Sequence, residues 1–289
     1  MDSSSNTGPS RAPIGVDAVS VLTLYLVLLV ALPSRLVIAP VGGAGAPAVL
    51  VGLGCLGWWG YSQVRRPLPS GQGRQPVRTA AFLLLASFTI SYVVAMTRAI
   101  DPEESSTAQL GVVVLLSWLG VLLLANDGIA SPGRLDTFLR RVAFAGGVEA
   151  TVGIIQFFTG ETLVDRIHIP GLSATQALGA VTMRGGFDRP PGTALHAIEF
   201  GAVLAMALPV AVNLALTDAS RGALRRWYPV AAIYFAAVLA ISRSTLLCVA
   251  LGTILVAVAW PSQVRKLAAG AFLVFGTFIF VTIPACSAP

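Results

Sequence analysis

Apolar runs recur along the whole of this chain, most of them near the length that crosses a membrane's hydrocarbon of about 30 Å at about 1.5 Å per helical residue. Nine runs are read, at residues 16–32, 42–60, 77–96, 107–125, 142–158, 198–216, 230–241, 246–260 and 267–283. Hydrocarbon offers no partner to a backbone N–H or C=O, so each run must close its own hydrogen bonds as a helix. The expected fold class is therefore all-α: a polytopic transmembrane helical bundle of about nine spans. A hydrophobic content of 55% with 11% charge and a mean hydropathy of +0.80 places the chain with integral membrane proteins rather than soluble domains.

One membrane domain is expected over 16–284, between a Ser-, Gly- and Pro-rich disordered leader at 1–15 and a tail at 285–289. Residues 19–31 have no A-x-A-like cleavage site directly after them, which favours an uncleaved first span over a signal peptide. The net charge of +6 comes from nineteen basic residues scattered singly and in pairs, with no run of five, so it does not describe a nucleic-acid surface. It follows the positive-inside rule instead. With the amino terminus cytoplasmic, Arg11, Arg65, Arg66, Arg74, Arg78, Arg134, Arg140, Arg141, Arg221, Arg225, Arg226, Arg265 and Lys266 fall inside. Arg35, Arg98, Arg166, Arg184, Arg189 and Arg243 fall outside. Trp58, Trp59, Tyr61, Trp227 and Tyr228 suit aromatic anchors at the inner interface. Cys55, Cys248 and Cys286 show no C-x-x-C spacing.

Two places break the regular pattern. The external loop at 159–197 is about forty residues long, and a loop of that length is seldom only a connector. Residues 227–260 must hold two spans and a turn in 34 residues, a helical length of about 51 Å where two crossings need about 60 Å. Ser242, Arg243 and Ser244 are thereby drawn to or below the outer interface.

The chemistry-bearing residues gather in these two places. Arg243, flanked by the hydroxyls of Ser242 and Ser244 at a helix start with free N–H groups, suits a phosphate; the alternative is snorkelling to lipid headgroups. Arg189 stands before Pro190-Pro191-Gly192, which stops helix and holds the guanidinium near the membrane surface, with Asp188 or a headgroup as the simpler partner. Arginine's planar, permanently charged fork matches phosphate oxygens, so Arg189 and Arg243 would form a pyrophosphate clamp if folding brings them together.

His196 and Glu199, three apart, would share a helical face at the mouth of the sixth span as a general base or proton relay; Glu199 is alternatively a solvated first-turn acid. Two such groups do not make a metal site, and none is expected. Glu149 recurs with Gly146, Gly153 and Gln156 on one small, polar helical face, which either lines a cavity or packs with an internal hydrogen bond. Asp17 and His168 support no specific role.

The runs GIIQFFTGETLVDRIHIPGL, FDRPPGTALHAIEFGAVLAMALP and AVLAISRSTLLCVALG resemble the O-antigen ligase and O-antigen polymerase family of bacterial envelope glycosyltransferases, over residues 153–252. The resemblance implies a multi-pass protein of the bacterial cytoplasmic membrane. Its external site would take a glycan from undecaprenyl pyrophosphate and join it to an acceptor glycan or lipid, without cofactor or nucleotide sugar. It also implies that Arg189 and Arg243 correspond to arginines that hold the lipid pyrophosphate. Family members continue beyond the span equivalent to 267–283 into a large external loop with a catalytic histidine, so the likeness is to an amino-terminal portion. Two other readings stay open: a transporter or flippase-like bundle with Glu149 and Gln156 along its path, and a non-catalytic truncated subunit.

Overall fold

The computed structural model describes residues 17–65, 75–161, 167–174, 182–184, 187–218, 220–240, 242–257, 265–266 and 270. The expected leader, the tail and nearly all of the ninth apolar run lie outside the described residues, as do Arg11, Arg66, Arg74 and Arg166 and the side chains of Arg184, Asp188 and Arg243.

Eight helices carry the described fold: α1 (Ala18–Ala31), α2 (Pro47–Arg65), α3 (Pro76–Met96), α4 (Pro102–Gly128), α5 (Pro132–Thr159), α6 (Ala197–Thr217), α7 (Ala223–Leu239) and α8 (Arg243–Ala257). Helices α2 to α5 each open on proline. The ring presets a helical φ, and the missing N–H falls in the first turn, where no carbonyl would have received it. Asp17 caps α1 by accepting from Ser20 N, and Ser131 caps α5 by accepting from Arg134 N. At its far end α5 stops on Gly160, whose φ of 66° returns its N–H to the Gln156 carbonyl.

The helices alternate in direction. At one end Asp17, ahead of α1, pairs with Arg134 at the start of α5, and Trp59 and Arg78 both bond Asp127 near the close of α4. At the other end Ser34, after α1, donates to the Thr193 carbonyl ahead of α6.

Among the described residues four helices, α3, α4, α5 and α6, are long and apolar enough to cross a membrane, and a 3-10 turn at Ala39–Gly45, bent 69° from α2, makes a fifth span if the two are counted together. Helices α1 and α7, of 14 and 17 residues, reach only about 21 and 25 Å at the helical rise. On α3 only Ala81 is buried, while Phe82, Leu83, Leu84, Ile90, Val93 and Val94 face outward. A surface of that kind belongs in hydrocarbon rather than water.

The main core is formed by α5 to α8, with Phe200, Leu204, Leu208, Ile233, Ala236 and Val249 fully enclosed around Ala150. Small residues on α5 allow the close approach that drives association where apolar burial alone gives little. A Cβ added at Gly153 would collide with the ring of Phe200. Two short antiparallel ladders tie down the loops: β1 (Leu36–Val37) on β2 (Ser173–Ala174), and β3 (Thr182–Arg184) on β4 (Phe187–Arg189). They satisfy backbone groups that no helix takes up.

Candidate functional site

The Pro190-Pro191-Gly192-Thr193 segment between β4 and α6 is buried against α5, and the two prolines can be enclosed there because they bring no N–H to satisfy. The next two residues do bring one each, and α5 provides for both. Gln156 forms a paired amide bridge with Gly192: its Nε2 donates to the Gly192 carbonyl at 2.9 Å and its Oε1 accepts the Gly192 N–H at 2.7 Å. Two helical turns earlier on the same face, Glu149 accepts the Thr193 N–H at 2.8 Å and the Thr193 hydroxyl at 2.9 Å. Both side chains are buried, at 3% and 0% exposure for Glu149 and Gln156. These are the internal hydrogen bonds that the packing reading of the Glu149 face calls for.

Gly192 makes the arrangement possible. Its φ is +62°, and a Cβ there would run into Glu149 Oε1 and the Phe200 ring. From the opposite side Ser34 N donates to the Thr193 carbonyl at 3.0 Å. The adjoining Arg35 is 8% exposed, and burial pulls its guanidinium below the ordinary arginine value.

The locked segment fixes where Arg189 stands. Its Nε donates at 3.1 Å to the carbonyl of Ala240, the residue that closes α7. A helix carboxyl end presents unpaired carbonyls and partial negative charge, so a guanidinium caps it well. This contact sets Arg189 beside the joint where Ser242, Arg243 and Ser244 begin α8. Ser242, 3% exposed, accepts the Thr245 N–H on its Oγ at 3.3 Å and thereby caps α8; Ser244 is exposed. Thr245 leans into the space left by Gly201 of α6, and its Oγ1 is buried without a hydrogen-bond partner among the described residues.

His196 and Glu199 stand at the head of α6. His196 occupies the cap position with extended backbone (φ −136°, ψ 149°), so it lies just outside the helix that was expected to align the pair. Glu199 Oε2 accepts the Leu195 N–H at 3.1 Å, the reach-back of a capping carboxylate. Both side chains are exposed, and among the described residues no hydrogen bond or ion pair joins them.

The fold therefore gathers Arg189, Ser242, the backbone of Arg243 and the Glu149–Gln156 lock at one end of α5 to α8. Sequence reasoning passed over Thr193 and Ser34 and used Arg35 only as an external charge. The only hint of Thr193 was its place between a helix-stopping Pro-Pro-Gly and an apolar run, and nothing local tied it to Glu149, 44 residues earlier. Among the described residues no three His, Cys, Asp or Glu side chains are grouped to hold a metal. No protein-family model, curated protein or solved structure matches this chain.

Proposed function

We propose that this chain is a membrane protein that binds the pyrophosphate of a polyprenyl-linked glycan, serving glycan transfer of the O-antigen ligase or polymerase type. The observation that carries this reading is the Arg189 Nε bond to the Ala240 carbonyl, which lies three residues before Arg243. It puts one arginine of the suggested clamp next to the segment that bears the other, at the start of a helix.

In the transfer, the bond between the sugar's anomeric carbon and the pyrophosphate oxygen breaks, and the leaving oxygen keeps the electron pair. The acceptor's hydroxyl oxygen forms the new bond and gives up its proton. Fixed guanidinium groups stabilise the departing charge without a metal. His196 and Glu199, exposed at the head of α6, are the proposed groups to take the acceptor's proton. The full topology belongs to the same proposal: about nine spans in a bacterial cytoplasmic membrane, the amino terminus cytoplasmic and the Arg189 end outside, in line with the arginine asymmetry.

The test is binding of a polyprenyl pyrophosphate glycan to the purified protein in vesicles, with transfer to an acceptor followed as radiolabelled product. Arg189→Ala and Arg243→Ala should each weaken binding at least about tenfold, the loss of one charge-assisted contact. Unchanged binding in both variants, with insertion intact, would rule the clamp out.

A further inference from the structure

At the opposite end of the bundle, α5, α6 and α7 leave an open cavity of about 60 Å³ bordered by Arg140, Phe144, Asp218, Arg221, Arg225 and Arg226. At about 10–15 Å³ for each water, it has room for about four waters, or for one phosphate group.

Its charge is unbalanced. Asp218 Oδ2 lies 3.2 Å from Arg140 Nη1 and 3.4 Å from Arg221 Nε, and Asp136 takes Arg140 Nε at 2.7 Å. Those two carboxylates serve Arg140 and Arg221. Arg226 Nη1 reaches only the main-chain carbonyl of Asp218, at 3.5 Å, and its Nε is buried without a hydrogen-bond partner among the described residues. Arg225 and Arg226 sit in the first turn of α7, whose cap residue Gly222 offers no side chain to the N–H groups there. A helix amino end with open amides and two arginines is electrostatically prepared for an anion.

The rest of the cavity wall is apolar, made by Ala143, Phe144, Ala211, Leu214 and Pro229, and the Phe144 ring at its edge is 68% exposed. A free anion has no use for such a flank, whereas a lipid has acyl chains to lay against it, and basic pockets between membrane helices suit anionic headgroups.

We infer that this cavity binds a phosphate ester anion, supplied by the headgroup of an anionic phospholipid. The phosphate oxygens take the guanidinium groups of Arg225 and Arg226 and the first amides of α7, and the acyl chains run beside the exposed Phe144 ring. The site is independent of the pyrophosphate reading, being at the other end of the helices and sharing no residue with it.

Delipidated protein in neutral detergent provides the test, with bound phosphatidylglycerol, phosphatidylcholine and inorganic phosphate measured in separate arms by native mass spectrometry and thermal shift. Phosphatidylglycerol should bind at least tenfold more tightly than phosphatidylcholine. The double variant R225A/R226A should lose about 30-fold in that affinity, at about fivefold per arginine, and R225K/R226K should recover most of it. The exposed single variant Arg225→Glu guards against a folding defect and should also lose affinity while keeping the unliganded melting point. Inorganic phosphate binding as tightly as phosphatidylglycerol, and lost in R225A/R226A, would overturn the lipid as source. Equal binding of the two lipids, or affinity for phosphatidylglycerol unchanged in Arg225→Glu and R225A/R226A, would overturn the site itself.

Discussion

At one end of the helices, Asp17 pairs with Arg134, Arg78 with Asp127, and Arg140 with Asp136 and Asp218. At the other, Glu149 and Gln156 spend their buried polar atoms on the backbone of Gly192 and Thr193. The first end is held by ion pairs of two kinds: Arg134–Asp17 and Arg140–Asp136 are open to solvent, so salt screens them and each adds little, while the Asp127 and Asp218 carboxylates are enclosed. The second is held where no water competes, so every bond lost there leaves a desolvated partner. The open pairs tolerate change, while the second end sets the position of a loop and of the arginine that follows from it.

Breaking that contrast begins with Glu149→Ala. It removes both bonds to the carboxyl group and strands the Thr193 N–H and hydroxyl, so thermal unfolding in detergent should show a loss of about 3–5 kcal/mol. Glu149→Gln, which keeps one acceptor oxygen, should cost about half as much. A loss below about 1 kcal/mol for the alanine variant would mean that the segment is held by packing alone.

Next in size is Gly153→Ala, whose added methyl meets the Phe200 ring. Overpacking of this kind costs about 1–3 kcal/mol, and Phe200→Leu in the same protein should relieve part of it, a coupling that a double-mutant cycle would measure. Arg189→Ala should cost only about 1 kcal/mol of stability, the worth of one hydrogen bond at a helix end. If the clamp reading holds, its effect on ligand binding should far exceed that.

The smallest effect is expected at the ion-paired end. The Ser20 hydrogen bond and, behind it, the Arg134 guanidinium lower the Asp17 carboxyl to about 2. An acid whose value falls on folding adds stability that is complete above its unfolded value of about 3.9 and disappears as pH drops through the folded one. The melting point of the parent should therefore decline between about pH 4 and pH 2 with a contribution that Asp17→Asn lacks. At neutral pH that variant should cost less than about 1 kcal/mol, and raised salt should shrink the difference. A salt-independent loss would place Asp17 with the buried end instead.

The helices were legible because hydropathy and proline punctuation act locally. The run at 77–96 became α3 (Pro76–Met96), and that at 198–216 became α6 (Ala197–Thr217). The reading fell short where a helix leaves the apolar phase: α5 starts at Pro132, ten residues ahead of its run, because its first turns carry Arg134, Asp136, Arg140 and Arg141. Hydropathy does not see a polar turn, although Ser131 and Pro132 marked the start. The run at 42–60 similarly hid the bend between Ala39–Gly45 and α2.

For the site, the residue types were visible and their partners were not. The sequence by itself determined a helical membrane-type chain, the polar face of Glu149 and Gln156, and two arginine-bearing breaks before α6 and α8, because spacing along a helix and the cost of charge in lipid are local facts. Only the tertiary structure decided that Glu149 and Gln156 hold the backbone at Gly192 and Thr193, and that Arg189 reaches the end of α7. Those contacts join residues 36, 51 and 44 positions apart, and such pairs are set by how the helices pack, which Gly153 and Gly192 permit by leaving out a side chain.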